Sequence, residues 1–492
     1  MTPLLKTRIL FLPAIPLFFL LHGLLENFGF IAPVDLLPLA GLYGLGSLLL
    51  YVLLRRITRN ATKAAVLTAW FLILYFFFGA LHDFLALHAS LLSKYSVLLP
   101  LLLILSVLVW IAVRRAAGLQ RPVLLLNLVF LSFLCLDTVL LTINYIHPPA
   151  NKLSFVRSDI LPPGSIAPKD KPDIYFLVFD EYASSVSLQK NYGYHNDIDA
   201  WLTQKGFRVQ PESFSNYNYT AASLASILNM SFIEGMRDSS LLTARDINYC
   251  LQLIKKNEVM RILSAQDYDI INCSPFELQY GRGQVSETLL PVKTRLISSN
   301  TLWSRIERDL LWTFYWGPLR IDWLADPSYY DVEKNNLRLL QLIKEQSYKK
   351  ESRPVFVYGH VYMPHDPFFM DKNGNLKSRK TIRAKSNHDA ASYLEYLAYT
   401  NTEIKKLVDT IQANTAGKAV IMVMGDHGFR ENIELNIHSN YQDLNAVYFP
   451  NRDYHLFYDS VSTVNQFKIV FNTLFHQSIP LLKDSTIFLT GK

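Results

Sequence analysis

Apolar residues are distributed along this chain in two different ways. Up to about residue 145 they form five long runs, at about 9–31, 37–54, 64–87, 95–113 and 122–145. Each is near the ~20 residues that an α-helix needs to cross a bilayer. The first run ends in no small-residue cleavage site and another follows at once, so it reads as a retained span. Beyond residue 172 the runs shorten to strand length: Ile174–Phe179, Tyr268–Cys273, Val355–Val361, Ala419–Met424 and Leu444–Phe449. They are continuous, as expected of parallel strands covered on both faces. Helical periodicity separates them. About 388–412 places Leu397, Ile404, Leu407, Val408 and Ile411 on one face, and Asp331–Gln346 carries a second such pattern. Alternation of this kind predicts an α/β domain with a mostly parallel central sheet and helices on both faces. Between the two regions, six prolines from Pro148 to Pro172 read as an extended linker. The expected organisation is a five-helix transmembrane domain over 1–146, a linker over 147–171 and an outer domain over 172–492. No internal repeat interrupts this division.

Charge gives the membrane region a direction. Lys6 and Arg8 precede the first run, Arg55, Arg56, Arg59 and Lys63 separate the second from the third, and Arg114, Arg115 and Arg121 separate the fourth from the fifth. The alternate connections carry only Lys94. Positive loops stay cytoplasmic, so the N-terminus is inside and an odd number of spans leaves everything after Tyr145 outside. The net charge of +7 and the pI near 9.0 partly reflect these clusters and are no argument for nucleic acid. His22, Glu26, His82, Asp83 and Asp137 fall within the runs; all but Asp137 lie near predicted ends, where polar tips reach the interface. Of three cysteines, Cys135 is in the fifth run, while Cys250 and Cys273 could form one disulfide or remain two buried thiols. Segment 275–330 is rich in aromatics and arginine, including Trp303, Arg305, Arg308, Trp312, Trp316, Arg320 and Trp323. It reads equally as a helix and loop packed on the outer core or as a helix lying at the membrane surface.

Candidate chemistry gathers where strand patterns stop. The run Ala419–Met424 ends in Gly425-Asp426-His427-Gly428, and Ile174–Phe179 ends in Asp180-Glu181. Strands of a parallel sheet end along one edge, so these groups can converge from nearly 250 residues apart. Carboxylates with an imidazole suit Zn²⁺ or Mn²⁺; each taken alone is equally a turn or a helix cap. Thr220 opens a small-residue helix reaching Leu228, and a hydroxyl there sits at the positive end of the dipole. A Thr at that position is also simply a good cap. Val355–Val361 leads into Pro364-His365-Asp366-Pro367, a tight loop projecting an imidazole that could bind an anion or protonate a leaving oxygen. His360 reads as a core histidine or a support behind a ligand, and His438 is a weaker candidate.

These four pieces, in this order, resemble the alkaline phosphatase superfamily, in particular its membrane-anchored sulfatase-like branch of lipoteichoic acid synthases and phosphoglycerol and phosphoethanolamine transferases. The resemblance implies a divalent cation, Mn²⁺ or Zn²⁺ with Mg²⁺ or Ca²⁺ possible, held by Asp180, Thr220, Asp426 and His427, with Glu181 as a further ligand. It implies Thr220 as nucleophile and His365 as a phosphoryl-binding or leaving-group residue. The implied activity moves phosphoglycerol or phosphoethanolamine from a membrane phospholipid to an envelope glycan or glycolipid, outside a bacterial inner membrane. The surroundings Thr220-Ala-Ala-Ser-Leu224 lack the Cys-x-Pro-x-Arg context of true sulfatases, which argues against formylglycine chemistry. A hydrolase of the same superfamily and a non-catalytic glycan- or partner-binding membrane protein are the competing readings.

Overall fold

The computed structural model describes residues 5–6, 8–29, 31–147, 171–284, 294–311, 330–349, 351–383, 389–430 and 437–490. The linker expected over 147–171 lies almost wholly outside these. The chain divides into two compact units, one of Met1–Ala150 with Glu287–Pro327, the other of Asn151–Ser286 with Ser328–Lys492. The sequence had suggested an uninterrupted outer domain over 172–492. Residues 294–311, the described part of 287–327, instead group with the N-terminal helices.

The first unit is built on α1 (Phe11–Glu26), α2 (Leu37–Thr58), α3 (Ala61–His88), α4 (Tyr95–Arg115) and α5 (Gln120–Ile146). Among the described residues, four helices are long and apolar enough to cross a membrane: Pro33–Thr58, Ala61–His88, Tyr95–Arg115 and Gln120–Ile146. The fifth, α1, is apolar but has 16 residues. At about 1.5 Å per residue it rises some 24 Å, short of a ~30 Å hydrocarbon core. α2 shows why a bilayer is implied. Leu39, Tyr43, Ser47, Tyr51 and Leu54 form its single buried stripe, while Leu42, Leu45, Leu48, Leu49 and Leu53 are exposed. Apolar side chains outside as well as inside need an apolar solvent. Asn60 caps α3 by accepting from the Lys63 amide at 2.9 Å, between Arg59 and Lys63 of a predicted cytoplasmic cluster.

Two short helices, Arg295–Ser298 and Leu302–Ile306, belong to this unit. Ile297 fills the notch left by Gly23 of α1, where a Cβ would lie 2.7–2.9 Å from three Ile297 atoms. Arg305 clasps Asp83 of α3 through two hydrogen bonds of 2.8 and 2.6 Å. Residues 294–311 of the aromatic segment therefore pack on the N-terminal helices. Trp312, Trp316, Arg320 and Trp323 lie outside the described residues.

The second unit is an α/β layer structure around a six-stranded sheet ordered β2-β7-β6-β1-β5-β4. These are β1 (Ile174–Phe179), β2 (Arg208–Val209), β4 (Asp269–Cys273), β5 (Val355–Val361), β6 (Val420–Gly425) and β7 (Asn445–Tyr448). A separate pair joins β3 (Ser240–Leu241) to β8 (Leu489–Thr490). The β6-β1-β5-β4 core is parallel, whereas β7 pairs antiparallel with both β6 and β2. The sheet is therefore mixed, with β7 alone reversed. Phe176, Val178, Tyr358 and Met422 face the helices Thr220–Asn229 and Gln466–Phe475. Tyr175, Leu177, Val357 and Val423 face Asp331–Tyr348 and Ala390–Asn414 on the other side. Both faces are thus covered, which accounts for the continuous apolar strands. Cys250 and Cys273 are buried free thiols, and burial pushes each up to about 12. A disulfide between them is not present.

Candidate active site and metal centre

Strand register assembles the site. Phe179, the last residue of β1, pairs with Gly425 of β6 and with Val361 of β5. The next residue on each neighbour, Asp180 and Asp426, therefore leaves the sheet side by side. Gly425 is required for this approach, because a Cβ there would meet the Tyr182 carbonyl at 2.6 Å and Asp443 Cβ at 3.1 Å. Gly428 closes the other side of the turn, since a Cβ would meet the Ser439 carbonyl oxygen at 1.9 Å. The Asp-His pair is thus held between two glycines that admit no side chain.

Asp426 is oriented by backbone. Its Oδ1 accepts from the Glu181 amide at 2.9 Å and from the His427 amide at 3.0 Å. The His427 Nδ1 donates to the Gly428 carbonyl at 2.9 Å, which assigns the tautomer and turns the Nε2 lone pair inward. That Nε2 accepts from the Thr220 hydroxyl at 3.2 Å and lies 3.5 Å from Asp426 Oδ2 and 3.9 Å from Asp180 Oδ1. Thr220 is the first residue of its helix, after an extended Tyr219. Ser223, one turn on, donates to the Asp426 carbonyl at 2.6 Å and ties that helix to the loop.

Asp180, Asp426 and His427 are all 0% exposed. Among the described residues, Asp180 Oδ1 and Asp426 Oδ2 are buried with no hydrogen-bond partner. Each orphaned carboxylate oxygen in an interior carries a large desolvation cost. With His427 they form a trio whose ligand atoms lie within 4.8 Å of one another. Two carboxylate oxygens, one imidazole nitrogen and an adjacent hydroxyl are a donor set suited to Zn²⁺ or Mn²⁺. His360 stands behind Asp180, with its Nε2 3.4 Å from Oδ2. Burial alone would raise the Asp180 carboxyl; the fields of His365, His360 and His427 outweigh it and hold it well below the usual range.

The chain turns left-handed at Glu181 (φ 61°), which separates this carboxylate from the trio. Glu181 joins a neighbouring group with His365 and Asp366. Its Oε1 accepts from the Arg430 amide at 3.2 Å and from Arg430 Nε at 3.1 Å, while Oε2 faces His365 Nε2 at 3.9 Å. Burial opposes ionisation of Glu181, but Arg430, His365 and His427 keep its carboxyl below the ordinary value. His365 is desolvated, which would lower it; Asp180, Glu181 and Asp366 prevail and raise it to about 9. Arg430 Nη2 also lies 3.3 Å from His365 Nε2. With carboxylates on several sides the imidazolium is the favoured form, and Glu181 holds the two cations together.

The structure thus brings Asp180, Thr220, Asp426 and His427 to one point and places Glu181 and His365 beside it. Arg430 was not among the candidates read from the sequence. It reaches Glu181, the Asn218 carbonyl at 3.4 Å and the Tyr219 ring at 5.4 Å. Its position two residues after Gly428, at the end of a conspicuous turn, was the available signal. His438 is exposed on the turn Ile437–Asn440.

A sheet edge carrying a carboxylate pair, an imidazole and a helix-opening hydroxyl defines an enzyme of the alkaline phosphatase superfamily. Within it, the chain belongs to the sulfatase family, whose model matches residues 189–460, more than half of the chain. No curated protein matches the chain. Similar solved structures include the C-terminal periplasmic domain of EcEptC from Escherichia coli in complex with Zn, with 13% identity and a TM-score of 0.39 over 69% of this chain and 92% of that one. The C-terminal periplasmic domain of phosphoethanolamine transferase EptC from Campylobacter jejuni is 14% identical, with a TM-score of 0.38 over 64% and 92%. Phosphonate monoester hydrolase of Agrobacterium radiobacter is 12% identical, with a TM-score of 0.40 over 62% and 74%.

Proposed function

We propose that this enzyme is a metal-dependent transferase. It moves a phospho-alcohol group, phosphoglycerol or phosphoethanolamine, from a membrane phospholipid to an envelope glycan or lipid through a phospho-threonine intermediate. The observation that carries this reading is the Thr220 hydroxyl, 3.2 Å from His427 Nε2 at the start of a helix, beside two orphaned carboxylate oxygens. The apolar helices add the second part, because they keep the enzyme in the membrane that contains the donor. In this reading α1 completes five spans, the N-terminus is cytoplasmic, residues 147–171 are a linker, and 172–286 with 328–492 hold the outer catalytic domain.

Asp180, Asp426 and His427, with Thr220 Oγ, would hold one divalent cation, Mn²⁺ or Zn²⁺. When bound, such a cation supplies Lewis acidity and lowers the pKa of an adjacent hydroxyl. The residues do the rest. Thr220 Oγ, its proton lost to solvent, attacks the phosphorus. Free N–H groups at the helix N-terminus and the Arg430 guanidinium receive the phosphoryl oxygens. The bond from phosphorus to the diacylglycerol oxygen breaks as His365, which stands between Glu181 and Asp366, supplies the proton that makes diacylglycerol a neutral leaving group. An acceptor hydroxyl then displaces Thr220 by the reverse sequence.

Intact mass spectrometry of the full chain tests this, after incubation with Mn²⁺ or Zn²⁺ and phosphatidylglycerol or phosphatidylethanolamine without an acceptor. A mass gain equal to one phospho-alcohol, absent in Thr220→Ala, is the expected result. Steady release of the headgroup to water without any adduct would replace the transferase by a hydrolase. Neither adduct nor release would remove both.

A further inference from the structure

The membrane-helix unit contains a cavity of about 540 Å³ whose lining changes character along its length. Phe18, Phe19, Phe76, Phe77, Phe130 and Phe133 give it aromatic walls, and Ile297 and Asn300 close one side. His22, Glu26 and Asp83 make its other surface ionisable. The lining comes from the middle and C-terminal portions of α1, α3 and α5, so with the N-terminus inside, the cavity sits in the outer part of the helices. Its volume is in the ~300–1,000 Å³ range of small-molecule sites.

The polar groups are built in, not scattered. His22 Nδ1 lies 3.1 Å from Asp137 Oδ2, and Asp137 on α5 is 3% exposed. The other ring nitrogen is 3.7 Å from Glu26. Asp83 is neutralised by Arg305, which is itself 8% exposed. Glu26 and Asp137 remain, with one imidazole between them. Even when His22 is protonated, one negative charge is left over beside a wall of aromatic rings. Asp137, buried inside an apolar helix, is an ionisable group of the kind that is costly in a membrane and marks binding or transport sites by default. A carboxylate with aromatic faces next to it recognises an ammonium group, through a charge-assisted hydrogen bond and cation–π attraction.

We propose that this cavity binds an amine-headgroup phospholipid, phosphatidylethanolamine, with its ammonium at Glu26 and the His22–Asp137 pair and its apolar part along the phenylalanine walls. A wholly anionic headgroup would meet like charge there. As the donor's holding site the cavity rests on the transferase reading above, whereas its occupancy by lipid is measurable without any transfer.

The test is native mass spectrometry of the full chain in detergent, with dioleoyl phosphatidylethanolamine or dioleoyl phosphatidylglycerol added separately. The expected result is retention of the ethanolamine lipid at least about tenfold above the glycerol lipid. Glu26→Gln should remove most of that preference, and Ala80→Phe, which fills the cavity from an exposed position, should reduce retention itself. Glu26 has a 59% exposed side chain, so its substitution should leave the helices folded. Equal retention of the two lipids overturns the proposal, as does a preference that survives Glu26→Gln. The two readings fail separately. A threonine adduct formed equally well by Glu26→Gln removes the cavity as the donor's holding site and keeps the transfer. Selective retention without any adduct keeps the cavity and removes the transfer.

Discussion

Replacing Asp426 by Asn should make the metal-free protein more stable while destroying its affinity for metal. Asp426 Oδ1 is fixed by two backbone N–H donors, from Glu181 and His427, and an amide oxygen can accept both. The amide nitrogen then has to occupy the position of Oδ2, which has no partner, 3.5 Å from His427 Nε2 and within 4.8 Å of the other ligand atoms. There it donates where a carboxylate could only repel Asp180. Two unit charges within 4.8 Å of each other repel by at least about 3.5 kcal/mol at an effective dielectric constant of about 20. His360 and His427 screen part of this, so a net stabilisation of about 1–3 kcal/mol is expected in the chelated protein. Removing an anionic ligand should cost at least ~100-fold in Mn²⁺ or Zn²⁺ affinity, beyond the ~10–100-fold typical of a supporting residue. Thermal unfolding in excess chelator, paired with calorimetric metal titration, measures both. A chelated Asp426→Asn protein destabilised by more than about 2 kcal/mol would refute the reasoning, because the carboxylate would then be structural and not poised for a cation.

Lys468 gives a pH signature away from the site. Its side chain is 0% exposed and its Nζ lacks a hydrogen-bond partner among the described residues. Burial lowers it to about 8 from an ordinary 10.5. The unfolded chain therefore holds this proton more tightly, and stability rises as pH rises from about 8 to about 10.5. Lys468→Met should be up to about 3 kcal/mol more stable than the native protein below pH ~8, with the gain gone above pH ~10.5, as read by denaturant melts across that range. Arg430→Gln leaves buried Glu181 with only a backbone N–H and the His365 imidazole as partners, which should cost about 1–3 kcal/mol; adding Glu181→Gln should recover most of the stability but none of the turnover. In the membrane unit, Gly23→Val should clash with Ile297 and cost about 1–3 kcal/mol in detergent, and Ile297→Ala should relieve it, giving a coupling energy by double-mutant cycle.

Much of this enzyme was legible in one dimension because the relevant physics is local. A bilayer demands about 20 apolar residues, so α2 to α5 announce themselves. A strand buried on both faces must be apolar throughout, so β1, β5 and β6 could be read from the runs Ile174–Phe179, Val355–Val361 and Ala419–Met424, the last of them one residue out of step with β6 at Val420–Gly425. Ligands at parallel strand ends can be expected together, and register sets Asp180 beside Asp426 for that reason. Other features had no local signal. The run at β7 is as apolar as its neighbours, and only its partners determine that it is antiparallel. Asp83 looked like an interfacial residue, yet its bidentate partner Arg305 lies 222 residues away. Arg430 followed a turn motif without any sequence mark of the Glu181 that it neutralises. Segment 275–330, of which residues 294–311 are described on the N-terminal helices, carried the composition of either a core helix or a surface helix. Their placement on α1 and α3 depended on a notch at Gly23 and a charge at Asp83, each useful only to a segment more than 200 residues further on. Period and length were determined by the sequence because neighbouring residues enforce them. Direction, pairing and charge compensation were decided by the tertiary structure, because they depend on which distant residue arrives.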